Sequence, residues 1–382
     1  MKICHLITSI DRGGAENHLI SLIKKQNKNS KIVLIYLRGN DYWKKELEAI
    51  GVTVIKVKFL KLINIFRLIG VFIELKKIIL KFNPNIVHAH LSSMELLASL
   101  IKFFYPTKIN LVITKHLDSF FLEASSGQNS LIKGMFIDRF IFKNSDQIIC
   151  ISKQVKSYFK YFFATRNNKI KVIYYGVDQN YFNKDSGFKK SKIINLIKKK
   201  TQNNEFLICC IARQVKQKSL DFLISSFSEY CKKNPNSKLL LVGNGPERNN
   251  LIRLSKNKNI YKKIIWINFS EQVKDLMDMA DVFVLTSQYE GFGMVFLEAM
   301  LTNTPIISTN VSAIPEVIRN NYNGILIKPN NMNQMILALN RIKNKKLVKK
   351  FSANSKKLLS SKFHLNTMNE KTNSVYNSLL RK

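Results

Sequence analysis

Hydrophobic positions along the chain fall into short β-rich runs separated by longer stretches with helical spacing. Lys2–Ser9 is the first run and leads to a helix from about Gly14. Residues 32–37, 53–57, 86–89, 110–114, 147–151 and 171–174 continue the series. A polar, turn-rich stretch at 176–192 interrupts it and reads as a linker. The pattern then restarts with Phe206–Ile211, residues 238–242, Ile264–Ile267, and residues 282–286, 305–308 and 324–327. Strands alternating with helices predict parallel sheets with both faces covered. The expectation is an α/β chain of two doubly wound, Rossmann-like domains facing across a cleft. They are placed at residues 1–182 and 183–361, with a terminal helix over 362–382 packing back on the first. In such sheets ligands bind beyond the carboxyl ends of the strands.

Composition supports two packed cores. The chain has 382 residues, 46% of them hydrophobic, with a mean hydropathy of -0.08, and single cores stop growing beyond about 250–300 residues. Five cysteines are an odd number without metal-ligand spacing, which predicts buried free thiols in a reducing compartment. The amino terminus reaches Asp11-Arg12 before a signal-peptide core develops, so no secretion is expected. Residues 59–82 carry Lys61, Arg67, Glu74, Lys76, Lys77 and Lys81, too many charges for a membrane-crossing helix.

Charge changes the picture more. A net +37 and a pI near 10.0 ask for a polyanionic neighbour: nucleic acid, an anionic membrane or phosphorylated substrates. An AT-rich gene would also enrich Lys, Asn and Ile. The basic residues are scattered over both halves and form no recognisable nucleic-acid-binding module, so nucleic acid is not the expected partner.

Three places can carry chemistry. Gly13-Gly14 follows the first strand and opens a helix, where a tight turn and a helix amino terminus would suit a phosphate; the loop is no G-x-G-x-x-G fingerprint. Arg213 and Lys218 follow Phe206–Ile211, and two fixed cations at a strand end suit a departing diphosphate. In the third, Glu290, Gly291, Phe292, Gly293, Met294, Val295 and Glu298 run from a glycine-punctuated loop into a helix. The backbone N–H groups there face an anion, while Glu290 can accept from sugar hydroxyls and Glu298 from a ribose diol.

The segment Glu290 to Glu298 resembles the E-x7-E motif of the family 4 glycosyltransferases. Gly13-Gly14, Val87-His88-Ala89-His90, the residues from Val172 to Asp178, Arg213 with Lys218, Val242-Gly243-Asn244-Gly245-Pro246-Glu247 and Pro315-Glu316 follow the family's order over nearly the whole chain. The resemblance implies a GT-B fold and transfer with retention of anomeric configuration. It also implies a nucleotide-diphosphate sugar in the carboxyl-terminal domain and an acceptor on the amino-terminal one. It places Arg213 and Lys218 on the diphosphate, Glu290 on the sugar and Glu298 on the ribose, and it aligns His116 with a histidine facing the donor sugar. His88 and His90 read as structural. The family's glycines are replaced by Ala212 before the arginine, by Ser219 after the lysine and by Ser312-Ala313 before Pro315-Glu316. Its small A-x-G residues after the helix are Leu301-Thr302-Asn303.

No D-x-D pair and no His or Cys cluster with metal spacing occurs, so no metal or other cofactor is expected and the donor is the only co-substrate. The expected enzyme is a metal-independent transferase taking its sugar, most simply from a UDP-sugar, to a glycan or lipid-linked acceptor of surface polysaccharide or glycolipid synthesis. An epimerase or phosphorylase on the same fold is the alternative, ahead of a nucleic-acid-binding protein. Residues 59–82 and 153–166 mix bulky apolar and basic positions, which predicts peripheral docking of the amino-terminal domain on the cytoplasmic face of an anionic membrane.

Overall fold

The computed structural model describes residues 1–57, 64–107, 109–117, 128–163, 167–178, 194, 195, 197, 199, 201 and 205–381. Most of the 176–192 linker, and with it the 182/183 boundary, lies outside the described residues. The chain divides into two compact units, Met1–Gly176 with Leu365–Lys382, and Val177–His364.

In the first unit the elements run β1 (Lys2–Ser9), α1 (Gly14–Gln26), β2 (Lys31–Arg38), α2 (Lys44–Ala49), β3 (Thr53–Lys56), α3 (Asn64–Phe82), β4 (Ile86–His90), α4 (Ser92–Phe104), β5 (Leu111–Lys115), α5 (Gln128–Asn144), β6 (Gln147–Cys150), α6 (Lys153–Phe163) and β7 (Ile170–Val172). The sheet has the order β3-β2-β1-β4-β5-β6-β7, with every pair parallel. β4 and β5 are buried at every position, as strands covered on both faces must be.

In the second unit come β8 (Phe206–Ile211), α7 (Leu220–Lys233), β9 (Ser237–Val242), α8 (Arg248–Asn257), β10 (Ile264–Ile267), α9 (Val273–Asp278), β11 (Val282–Leu285), α10 (Met294–Leu301), β12 (Ile306–Thr309), α11 (Ile314–Val317), β13 (Ile325–Ile327), α12 (Met332–Ile342) and α13 (Lys345–Ser360). Its order, β10-β9-β8-β11-β12-β13, is also all parallel. Strand order therefore reverses beside β1 in one unit and beside β8 in the other, and ligand crevices form at such switch points.

The last helix, α14 (Leu365–Leu380), belongs to the first unit. Leu365, Met368, Val375, Tyr376 and Leu379 recur at helical spacing and pack with Ile3, Leu22, Ile86, Val112 and Ile149 in one apolar cluster. All five cysteines are buried free thiols. Among the described residues no helix is long and apolar enough to cross a membrane.

Candidate active site

At the switch point of the second unit, the chain leaving β8 is fastened to the end of β9. Ala212 N donates to Val242 O and Gln214 N to Asn244 O, both at 2.9 Å, and Gln214 Nε2 donates to Gly243 O at 2.7 Å. Contact is so close that a Cβ on Gly243, which has φ +134°, would stand 2.0 Å from Ala212 O. Glycine is required there. Arg213 sits between the two anchored residues with its side chain exposed.

The β8 and β11 loops are then tied to each other. Gln288 N donates to Gln217 O at 2.8 Å, Gln217 Nε2 to Tyr289 O at 2.9 Å, and Thr286 Oγ1 to Lys218 O at 2.9 Å. This brings together two residues singled out 72 positions apart: Lys218 Nζ makes an ion pair with Glu290 Oε1. The same carboxylate oxygen accepts from Ser287 Oγ at 2.7 Å. Glu290 is 7% exposed, and Ala313 N donates to its backbone O at 3.3 Å, which adds the β12 loop.

Three residues on, Gly293 caps α10 in the left-handed region (φ +84°), where a Cβ would meet the Phe296 ring at 2.6 Å. It offers no side chain to cap the helix, so the amino-terminal N–H groups of α10 have no side-chain cap from it. Phe292 is buried edge-on against Phe363, with ring centroids 5.7 Å apart, and Met294 is buried too. Both side chains are therefore committed to the interior. Gly291 is buried, and Val295 and Glu298 are half-buried on the same stretch.

Gly14 and His116 stand in the first unit. Gly13 is extended (φ −167°), so no left-handed turn asks for glycine there. Instead its missing side chain makes room for Glu16, whose Oε2 would lie 2.2 Å from a Gly13 Cβ, while Ser9 Oγ donates to Glu16 Oε1 at 2.9 Å. The α1 amino terminus expected to face a phosphate thus carries its own carboxylate. Burial raises the Glu16 pKa.

His116 is buried at the end of β5 with both ring nitrogens engaged, Nδ1 with Tyr175 OH and Nε2 with His90 Nδ1 at 3.1 Å. Burial, and then the neighbouring Lys115 ammonium, push its pKa down to about 3. His88 uses both nitrogens as well, on Tyr376 OH at 2.6 Å and Thr114 Oγ1 at 2.7 Å. With His5, His18 and His90 these make five buried histidines of the chain's six. The His5, His88 and His90 ligand nitrogens lie within 4.8 Å of one another, a grouping invisible to a search for metal spacing because it joins β1 to β4.

Two features escaped the sequence reading. Lys115 is 2% exposed and bonds Glu95 Oε2 of α4 at 2.6 Å and Asp138 Oδ1 of α5 at 2.7 Å. Burial works to lower its pKa, and the two carboxylates overcome that and leave it raised. Tyr175 stacks on His18 with centroids 4.3 Å apart. A lysine in an otherwise uncharged strand was the available signal for the first; the second lies in the segment from Val172 to Asp178, whose spacing says nothing of His18.

Two family models divide the chain: that of the Glycosyltransferase Family 4 matches residues 12–181 and that of the Glycosyl transferases group 1 matches residues 190–358. The chain belongs to the family 4, group 1 glycosyltransferases. It is 24% identical to the O-antigen biosynthesis glycosyltransferase WclY of Escherichia coli over 100% of this chain and 99% of that protein. It is 25% identical to the E. coli UDP-Gal:alpha-D-GlcNAc-diphosphoundecaprenol alpha-1,3-galactosyltransferase over 80% of this chain and 78% of that one. Alignments at 31% and 30% identity span 51% and 61% of the relatives concerned. Among solved structures, Anabaena HepE in complex with UDP and glucose superposes with a TM-score of 0.83 at 20% identity, covering 99% of this chain and 100% of that one. The fold is the GT-B fold of these glycosyltransferases.

The family's missing glycines now have a backbone meaning. Ser219 has φ +44°, Ser312 φ +51° and Asn303 φ +59°. Each stands where the chain is left-handed, the conformation that glycine takes without cost and that asparagine tolerates better than serine. In this glycosyltransferase these three departures place a small polar side chain at a left-handed position.

Proposed function

We propose that this glycosyltransferase transfers a sugar, with retention, from a UDP-sugar to a lipid-linked or glycan acceptor in surface polysaccharide synthesis. The observation that carries the reading is the Lys218–Glu290 ion pair, set at the β8/β11 switch point beside the side-chain-free amino terminus of α10. Relatives named for O-antigen and diphosphoundecaprenol-linked synthesis, and a structural neighbour that holds UDP and glucose, support the choice of substrates.

In this reading Arg213, Lys218 and the α10 amino terminus receive the diphosphate, and charge growing on the leaving group meets cations already in place. Glu290, held by Lys218 and Ser287, accepts from donor-sugar hydroxyls, and Glu298 accepts from the ribose. His116, which the family resemblance assigns to the donor sugar, is kept neutral by burial. The acceptor hydroxyl attacks from the face the leaving group departs, and its proton passes to the departing phosphate. Cations of the protein supply the positive charge that a divalent ion would otherwise bring, so transfer survives EDTA. The chain works peripherally at the cytoplasmic face of an anionic membrane, where a lipid-linked acceptor resides.

The test is turnover with a radiolabelled nucleotide sugar. Arg213→Ala and Lys218→Ala should each lose about a hundredfold in kcat; near-normal turnover in both would overturn the assignment. Glu298→Gln should raise KM with little change in kcat, because a ribose contact persists from ground state to transition state.

A further inference from the structure

Exposed apolar side chains gather on one face of the first unit. α3 packs on α4 and α4 on α5, and a row of rings crosses all three: Phe72 meets Phe104 (centroids 6.1 Å), Phe104 meets Phe103 (5.3 Å), and Phe103 meets Phe140 (6.0 Å). Beside that row Ile73 is 54% exposed, Phe103 57%, Phe104 61% and Phe136 70%. Phe136 stands one helical turn before Phe140, on the same face of α5.

Cations border this face. Lys77 stands one turn beyond Ile73, Lys76 lies 5.5 Å over the Tyr105 ring at the end of α4, and Arg139 and Lys143 are exposed on α5. Of the three acids on these helices, Glu95 and Asp138 are buried on Lys115 and only Glu74 remains. The 153–166 stretch, paired with α3 from sequence, contributes less: Tyr158 and Phe159 are buried and Tyr161 alone of its described aromatic side chains is exposed, while 164–166 lie outside the described residues.

We propose that the α3–α4–α5 face, led by Phe103, Phe104 and Phe136, is the surface through which the chain docks on an anionic lipid bilayer. The proposal rests on the peripheral-membrane reading above and names its surface. Aromatic rings ringed by Lys and Arg match the acyl–headgroup boundary, where rings enter the apolar layer and cations meet lipid phosphates. A second copy is the poorer occupant. It would bring the same cations against each other on a chain of net charge +37. Duplex nucleic acid, met through its phosphates, would leave the rings in water.

Flotation with vesicles of phosphatidylcholine, with and without 30 mol% (about a third) phosphatidylglycerol, tests this on the full chain. Wild type should float with the anionic vesicles and release in high salt. The triple variant Phe103→Ser, Phe104→Ser, Phe136→Ser should bind them at least about tenfold more weakly, the scale expected from three rings withdrawn from the apolar layer. Its UDP affinity and melting temperature should hold, since these side chains are exposed. Lys76→Gln, Lys77→Gln, Arg139→Gln, Lys143→Gln should lose the preference for anionic lipid, and Tyr161→Ser should bind as wild type. If wild type floats and the triple variant floats equally well, the membrane reading stands and this surface is wrong. If wild type ignores both vesicles, the membrane reading and this proposal both fail. If the triple variant instead converts a dimer to a monomer in sedimentation with unchanged flotation, the face belongs to a second copy and the proposal is overturned.

Discussion

The two units share a strand order but keep their charges in different places. In the first, Lys115, Glu95 and Asp138 are buried together and five histidines lie inside. In the second, Glu290 is the one buried charged residue among those described, and it pairs with Lys218, which reaches the surface. The same α/β frame therefore carries its polar groups as an interior network in one unit and as loop machinery at a switch point in the other. Such an interior network is costly to leave half made, whereas loop charges cost little stability and stay available to a ligand. The first unit should answer to perturbation by unfolding, and the second by losing activity.

The largest expected effect is on folding of the first unit. Lys115→Met leaves Glu95 and Asp138 buried without their cation, and breaking a buried pair in this way costs about 3–5 kcal/mol. Urea unfolding should show that loss, while Lys218→Ala should show a smaller one alongside its loss of turnover. Equal destabilisation by the two variants would erase the contrast between the units.

Acid should act next. Burial lowers the pKa of His5 to about 4 and of His116 to about 3, and holds His18, His88 and His90 well below the ordinary value. The unfolded chain binds protons at these positions below about pH 6.5 while the folded one does not. Stability contributed by neutral burial is thus complete above that pH and falls as pH drops from 6.5 toward the folded pKa values. Each histidine adds a slope of about 1.4 kcal/mol per pH unit once well below 6.5. The melting temperature should fall steeply between pH 7 and 5, with amide exchange appearing first in β1, β4 and β5. A flat profile, or first exchange in β8 and β11, would contradict the assignment of the titrating groups to the first unit.

The smallest effect sharpens the account of the second unit. Ser219→Gly removes a side chain from a left-handed position (φ +44°) and should stabilise by about 1 kcal/mol. A fall in melting temperature would mean that the serine side chain contributes more than its backbone strain costs.

The sheets were legible in sequence because strands buried on both faces are written as continuous apolar runs such as Phe206–Ile211, bounded by polar turns. The candidate site of the second unit was legible for a related reason: its charges and glycines lie close together in sequence, so Glu290, Gly293 and Glu298 fall within one short segment. What spacing cannot reveal is convergence from distant strands. His5, His88, His90 and His116 meet only once β1, β4 and β5 are paired, and Lys115 finds Glu95 and Asp138 only once α4 and α5 cover the sheet. Gly13 was legible as a glycine, while the Glu16 side chain that it makes room for was not.

The central claim, that the β8/β11 switch point of the second unit holds the donor diphosphate, is tested most directly by isothermal titration of UDP into wild type, Arg213→Ala, Lys218→Ala and His116→Ala. The account predicts at least about a tenfold loss of affinity in the Arg213 and Lys218 variants, the scale of one charge-assisted contact, and near-wild-type affinity in the His116 variant. Undiminished UDP binding in both of the first two variants, or its loss on changing His116 alone, would contradict it.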